Sequence, residues 1–328
     1  MYPIIFTPDY KERVWGGQKL KTVFDKEIPF EHTGESWEIA CHENGQSIVK
    51  NGQYKGMTLE ELLLQQGEDI IGKPFAKGDK FPLLVKIIDA KDKLSVQVHP
   101  EDDYAKKNEN GELGKSEAWY VLQANEGSKL VAGLKDGVTE EIFKAKLESN
   151  ELEEVLNEIE VNAGDVLDIP AGLIHAIGDG ILLAEIQQNS DTTYRVYDYG
   201  RVGLDGVPRD LHVKKSLDVI DFEHKHSKEL AMGIKEVFEG YEVTEYIRNK
   251  YFVLQEIVIN SEYKQCFNGN GFEIYMCIKG DCVIEYDGES QDVKVGESLI
   301  IPTDLMEYKI IPNNKQVVFV KGFIDDKI

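Results

Sequence analysis

Cysteine is scarce and unpatterned in this 328-residue chain. Its four cysteines, Cys41, Cys266, Cys277 and Cys282, form no C-x-x-C pair. That argues against a thiolate metal site or a disulfide framework and for free thiols in a reducing cytoplasm. Basic residues are outnumbered: 37 Lys and Arg stand against 60 Asp and Glu, a formal net charge of −23. Such a surface repels nucleic acid and anionic membranes, because both bind through Lys/Arg-rich patches. No run approaches the ~20 apolar residues of a membrane helix. The opening MYPIIFTPDYKERVWGG also lacks the basic-then-apolar pattern of a secretion signal. These absences exclude no small ligand, since a basic pocket can sit inside an acidic shell, and nothing in the sequence points to a protein partner.

What is present is a folded chain of mostly short strands. Apolar residues make up 41% and charged residues 30%, an ordinary globular balance, and the length suits two domains or one large one. Helical periodicity is confined to Met57–Gln66, where Thr58 and Glu61 have capping-box spacing, to Thr139–Asn157, which breaks near Ser149 and Asn150, and to Leu211–Val219. Short apolar runs between Gly, Pro and Asp fill much of the rest, among them Leu83–Ile88, Leu94–Val98, Glu117–Gln123, Ile181–Gln187 and Glu273–Ile278. Many short strands with frequent turns predict a sandwich or a closed barrel.

An internal repeat sharpens that expectation. GDVLDIPAGLIH from Gly164 aligns without gaps on GESLIIPTDLME from Gly296, which puts His175 on Glu307. Upstream, SEAWYVLQANEG from Ser116 resembles FEIYMCIKGDCV from Phe272, which puts Glu117 on Glu273. The two offsets, 132 and 156 residues, differ by 24, so the first copy is expected to carry a helical insertion. The first of these blocks, Gly-x5-Pro-x-Gly-x2-His from Gly164 to His175, resembles the second cupin motif, and that resemblance implies a mainly β fold of two cupin-type jelly-roll barrels, the C-terminal one degenerate. Residues 1–235 would form a metal-binding catalytic unit with helical insertions, and residues 236–328 a degenerate copy.

The first copy holds the chemistry. In LSVQVHP, Gln97 and His99 are two residues apart on a strand and so share a face. Glu117 opens the next strand, and His175 follows a Pro-Ala-Gly turn. Two imidazoles, a carboxylate and an amide oxygen suit a divalent ion such as Zn²⁺. The same His/Glu/His set also describes the facial triad of non-haem iron oxygenases, with Gln97 a bystander. His224 and His226, in the polar run FEHKHSKEL, read as a solvated loop.

The blocks ERVWGG (12–17), GESWEI (34–39), PLLVKIIDAKDKLSVQVHP, GKSEAWYVL, PAGLIHAIGDG and EIQQNSDTTYRVYDYGR together resemble the type I phosphomannose isomerases, in their short bacterial form. The resemblance runs from about Tyr10 to Ile220. It implies a zinc enzyme interconverting mannose 6-phosphate and fructose 6-phosphate through a cis-enediol. It places the zinc on Gln97, His99, Glu117 and His175, and an essential arginine at Arg195. Such a reaction needs an acid/base group and stabilisation of enediolate charge. Arg195 suits charge stabilisation or phosphate binding better than proton abstraction. Lys115 and Glu185 are candidate catalytic residues, and Lys86, Lys115 and Arg195 candidate substrate contacts. One locally positive cavity is therefore expected in the first unit. The other open reading is a sugar-binding cupin without catalysis.

Overall fold

The computed structural model describes residues 1–72, 80–266 and 271–325. It is mainly β and every strand pairing is antiparallel. The strands form two related units, each a large sheet facing a small one. In the first unit the large sheet runs Val166–Ile169, Glu117–Ala124, Ile181–Gln188, Leu83–Ala90, then Asp9–Gly17 and Thr33–Ile39. Its small sheet runs Leu156–Glu160, Lys129–Leu134, His175–Ile177, Val96–Val98, Tyr194–Tyr197.

The second unit repeats this order. Ser298–Ile301, Glu273–Lys279, Val317–Phe323, Val253–Ile259 and Tyr241–Arg248 follow one another in its large sheet. Glu289–Val293, Cys282–Tyr286, Glu307–Pro312 and Tyr263–Cys266 form the small one. The repeat seen in the sequence is in register: Glu117 pairs with Ile169 as Glu273 pairs with Ile301, and His175 pairs with Gln97 as Glu307 pairs with Cys266. The expected closed barrels are not found. Among the described residues each unit is a sandwich of two open sheets, because no hydrogen-bonded pairing joins its large sheet to its small one.

Side-chain alternation sets the layers. On Glu117–Ala124, Trp119 and Val121 join the apolar interior of the first sandwich, while Ala118 and Tyr120 point the other way. That other face packs on Leu254, Ile274, Met276 and Val320 of the second unit's large sheet. The two large sheets therefore lie back to back, and their strands are buried on both faces; Leu83–Ala90 is buried throughout. The N-terminal strand Ile4–Thr7 belongs to the second unit's sheet, paired with Ser298–Ile301.

The helices sit where strands are connected. Leu59–Ile71 carries the expected capping box, with Thr58 Oγ1 accepting from the Glu61 amide and the Glu61 carboxylate accepting from the Thr58 amide. The periodic stretch Thr139–Asn157 is helical only over Glu140–Glu148. It turns at Asn150 (φ 58°), forms a short 3₁₀ turn at Leu152–Val155 and becomes strand Leu156–Glu160. This helix lies between Lys129–Leu134 and Leu156–Glu160, whereas the matching strands Cys282–Tyr286 and Glu289–Val293 are joined by a tight turn. The insertion therefore accounts for the unequal offsets. Leu211–Val219 shortens to a helix over Val213–Val219. Among the described residues no helix is long and apolar enough to cross a membrane.

The N-terminal strand offers a direct check. Ile4 is fully buried, so Ile4→Ala should cost about 2–4 kcal/mol of stability in urea unfolding; a cost well below that range would mean the strand is not held in the second sheet.

Candidate metal centre and cavity

The layer rule that buries Trp119 also aims the polar residues. Lys86, Glu117 and Glu185 share strand faces with Ile88, Trp119 and Leu183, all of which pack inside the first sandwich. The small sheet faces them. There, His175 and Gln97 sit opposite each other in register, and His99 follows the end of the Val96–Val98 strand.

These residues meet. One ligand atom each from His99, Glu117 and His175 can be chosen so that all lie within 4.8 Å of one another, and all three residues are buried. The imidazole Nε2 atoms are 3.1 Å apart. His175 Nε2 is 3.4 Å from Glu117 Oε1, and His99 Nε2 is 3.5 Å from Glu117 Oε2. The Gln97 amide reaches His175 Nε2 at 3.3 Å. Because an amide's nitrogen and oxygen are assigned from the hydrogen-bond network, a rotated Gln97 would offer its oxygen there.

The outward nitrogens decide the protonation. His99 Nδ1 lies 2.9 Å from the Thr192 carbonyl and His175 Nδ1 lies 2.7 Å from the Leu173 carbonyl. Carbonyl oxygens only accept, so both Nδ1 atoms carry the proton and both Nε2 atoms present lone pairs. Burial keeps the rings neutral: it drives His175 down to about 3 from an ordinary 6.5, and His99 well below its usual range, with Lys115 pushing the same way. Burial and the nearby Glu185 raise the Glu117 carboxyl, against the pull of Lys115 and Lys86. Glu117 Oε1 accepts no hydrogen bond among the described residues. Two lone pairs and a carboxylate thus converge among buried groups, an arrangement that fits a divalent cation.

The cluster opens onto a cavity of about 400 Å³ lined by Gln97, Lys86, Lys115, Glu185 and Arg195. Lys115 lies at the junction, 2.9 Å from Glu117 Oε2 and 3.2 Å from His99 Nε2. Glu185 is held at both oxygens, by Lys86 at 2.9 Å and by Trp119 Nε1 at 3.0 Å. Burial works against its charge, but Lys86 and Lys115 hold its carboxyl below the usual range. Lys86 donates also to Gln187 Oε1 at 2.6 Å. It therefore orients Glu185 while lining the cavity itself.

Arg195 is anchored by Nη1 on the Asp210 carbonyl at 2.9 Å, while its buried Nε has no hydrogen-bond partner among the described residues. All eight residues singled out from the sequence are thus in or against one site. Arg13, Glu35 and Arg209, which also line it, were not singled out, although Arg13 and Glu35 lie inside the blocks ERVWGG and GESWEI. Five Lys and Arg side chains line the cavity against the carboxylates Glu35, Glu185 and Asp191, so it is locally positive in a chain of net charge −23.

A larger cavity, about 640 Å³, lies beside the Leu59–Ile71 helix. Five carboxylates line it, with Lys80 its one Lys or Arg among the described residues, so it does not suit an anionic ligand. In the second unit, Glu307 is a surface residue paired with Lys264, and Glu273 is tied to Lys321, Tyr275 and Tyr308.

Comparison with known proteins follows the same lines. The family model "Phosphomannose isomerase type I, catalytic domain" matches residues 4–146, and "Mannose-6-phosphate isomerase, cupin domain" matches residues 242–320. The chain is 48% identical to mannose-6-phosphate isomerase ManA of Bacillus subtilis strain 168 over 219 residues, 67% of this chain and 68% of that one. It is 37% identical to a mannose-6-phosphate isomerase of Streptococcus mutans over 307 residues, 94% of each. The crystal structure of mannose 6-phosphate isomerase from Bacillus subtilis superposes with a TM-score of 0.90 at 35% identity, covering 98% of this chain and 99% of that one.

The neutral histidines predict acid sensitivity in metal-free protein. Between pH 6.5 and about 3 the unfolded chain protonates His175 and the folded chain does not. This stability is therefore complete above pH 6.5 and lost as pH falls towards 3; the raised Glu117 acts in the opposite sense. Replacing His175 by Gln should remove about 2–3 kcal/mol of the destabilisation seen near pH 4.5 relative to pH 7. Equal acid slopes for the two proteins, in urea unfolding after chelation, would contradict the assignment of neutral, buried imidazoles.

Proposed function

The chain belongs to the type I phosphomannose isomerase family and is an enzyme of that family; on this premise we propose that it interconverts mannose 6-phosphate and fructose 6-phosphate at the cavity of the first unit, with one Zn²⁺ per chain. The observation that carries this reading is the acceptor-only cluster beneath a cationic cavity. His99 and His175 would hold the ion through Nε2, Glu117 through its carboxylate and Gln97 through its amide oxygen. Zinc is the ion of choice for two imidazoles with oxygen donors where no redox chemistry is needed. When bound it supplies Lewis-acid polarisation of the sugar's carbonyl and hydroxyl oxygens.

The chain's own residues do the rest. An aldose–ketose exchange passes a proton between C2 and C1 and shifts another between O1 and O2, through a cis-enediol. Lys115, whose ammonium lies beside Glu117 and His99, would donate to the sugar oxygens next to the ligands. Arg195 stays cationic and offsets the negative charge that develops on the enediolate. Glu185 is fixed at both oxygens and shapes the field around Lys115; as an acid/base group it would first have to give up one of those bonds. Lys86 holds Glu185 in place and adds positive charge to the wall facing the substrate.

The second unit reads as a copy without the metal chemistry, since Glu307 stands where His175 would be and faces solvent. The division into a catalytic part, residues 1–235, and a structural part, residues 236–328, rests on that contrast. The four cysteines are free, which supports a cytoplasmic enzyme. An iron oxygenase built on the same triad would not require the cationic wall.

A coupled assay for fructose 6-phosphate tests the reading. Turnover of mannose 6-phosphate should vanish on chelation and return with one equivalent of zinc. Arg195→Ala should keep the metal and lose at least about two orders of magnitude in kcat. No turnover in zinc-replete protein, or oxygen consumption with iron, would overturn the proposal.

A further inference from the structure

Three arginines line the cavity, and each is braced on one edge and unpaired on another. Arg13, on the strand Asp9–Gly17, donates through Nε to Glu35 Oε1 at 2.7 Å and through Nη1 to the Glu12 carbonyl at 3.2 Å. Its Nη2 makes no hydrogen bond to the described residues, and a third of its side chain is open to solvent. Arg209 donates through Nε and Nη2 to the two oxygens of Asp198, at 2.8 and 2.5 Å, which leaves Nη1. Arg195 donates through Nη1 to the Asp210 carbonyl, which leaves Nε and Nη2.

The bracing is substantial. The other Glu35 oxygen accepts from Trp37 Nε1 at 2.7 Å. Burial opposes its charge, but Arg13 and Lys86 outweigh that and hold its carboxyl down to about 2. Glu35 is thus an anion at any working pH and fixes one edge of Arg13. Asp198 does the same for Arg209 while also taking Arg201.

Like charges gathered at one cavity repel. Arg195 is disfavoured by burial and then by Arg209, with Arg13 and Arg201 adding to it. Guanidinium edges gathered in a half-buried space call for a counter-charge; Glu35 and Asp198 are already used as braces, Glu185 is taken by Lys86 and Trp119, and Asp191, which favours the Arg13 charge, accepts from Asn44. Guanidinium edges fixed in advance bind a phosphate with little ordering cost, because their N–H forks match its oxygens.

Resting on the isomerase reading above, we infer that Arg13 and Arg209 grip the phosphate of the substrate through their unpaired edges, with Glu35 and Asp198 as positioning residues. The phosphate is the part of the sugar furthest from the reacting carbons. Its binding energy would then be supplied by residues from two distant stretches of chain: Arg13, on the large-sheet strand, and Arg209, in the segment that follows Tyr194–Tyr197.

The test compares Arg13→Met, Arg209→Met and the double variant R13M/E35Q, in which no buried carboxylate is orphaned. Each is measured for KM and kcat with mannose 6-phosphate, for inorganic phosphate binding by calorimetry, and for zinc content. The expected result is a KM raised about tenfold or more, phosphate binding weakened by a similar factor, kcat within about threefold of wild type, and zinc retained. Arg13→Lys should recover part of the affinity. Unchanged KM and phosphate affinity would overturn the assignment, as would a fall in kcat alone, which would move these arginines to the reacting end. A wild-type protein that binds phosphate through Arg13 but does not turn over mannose 6-phosphate would instead contradict the isomerase reading and leave the anion site standing.

Discussion

Two imidazole lone pairs and a carboxylate face one another, buried inside a sandwich of two sheets, and the rest of the site is arranged around that conflict. His99 Nε2 and His175 Nε2 are 3.1 Å apart because each ring is pinned from behind by a backbone carbonyl. Without a cation such a cluster is repulsive; with one, it is a chelate whose geometry is already set. Lys115 supplies one positive charge at its edge. The surrounding fold maintains it through two sheets packed face to face. The large sheet contributes Glu117, Glu185 and Lys86, and the small sheet contributes His175 and Gln97, with His99 just beyond its edge.

The chain builds this sandwich twice and lets the two large sheets pack back to back. The arrangement explains the division of labour. The second unit shields the outer face of the first unit's large sheet through Leu254, Ile274, Met276 and Val320. The large-sheet strands that carry Lys86, Glu117 and Glu185 are then packed on both faces. At the position of Glu117 the second unit keeps a buried carboxylate, Glu273, but neutralises it internally with Lys321 and two tyrosine hydroxyls. The ammonium and hydroxyls there engage both Glu273 oxygens, whereas Glu117 meets Lys115 through Oε2 and its Oε1 accepts no hydrogen bond among the described residues.

Much of this was legible in the sequence, for physical reasons. Gln97 and His99 announce a shared face because strand side chains alternate, and the Gly164 and Pro170 that precede His175 recur as Gly296 and Pro302 before Glu307. The repeat also located the helical insertion. Less was legible where the environment is symmetrical: Leu83–Ala90 is buried on both faces, so it shows no alternation and the direction of Lys86 could not be read. The stretch Thr139–Asn157 kept a helical pattern past Asn150, yet Leu156 there pairs as strand with Leu134. Sheet closure depends on hydrogen bonds between particular edges and left no mark in the pattern. Arg13, Glu35 and Arg209 were not singled out, because no local pattern shows that Arg13 meets Glu35 or that Arg209 meets Asp198. The net charge of −23 did not conceal the locally positive cavity expected in the first unit, which five Lys and Arg side chains line.

The central claim is that the His99, Glu117 and His175 atoms converge to hold a cation with no sulfur ligand. X-ray absorption at the zinc edge, on protein loaded with one equivalent of zinc, addresses it directly. The account predicts two imidazole shells with nitrogen or oxygen ligands at about 2.0–2.1 Å and no sulfur. A sulfur shell near about 2.3 Å, or a spectrum with a single imidazole, would contradict it.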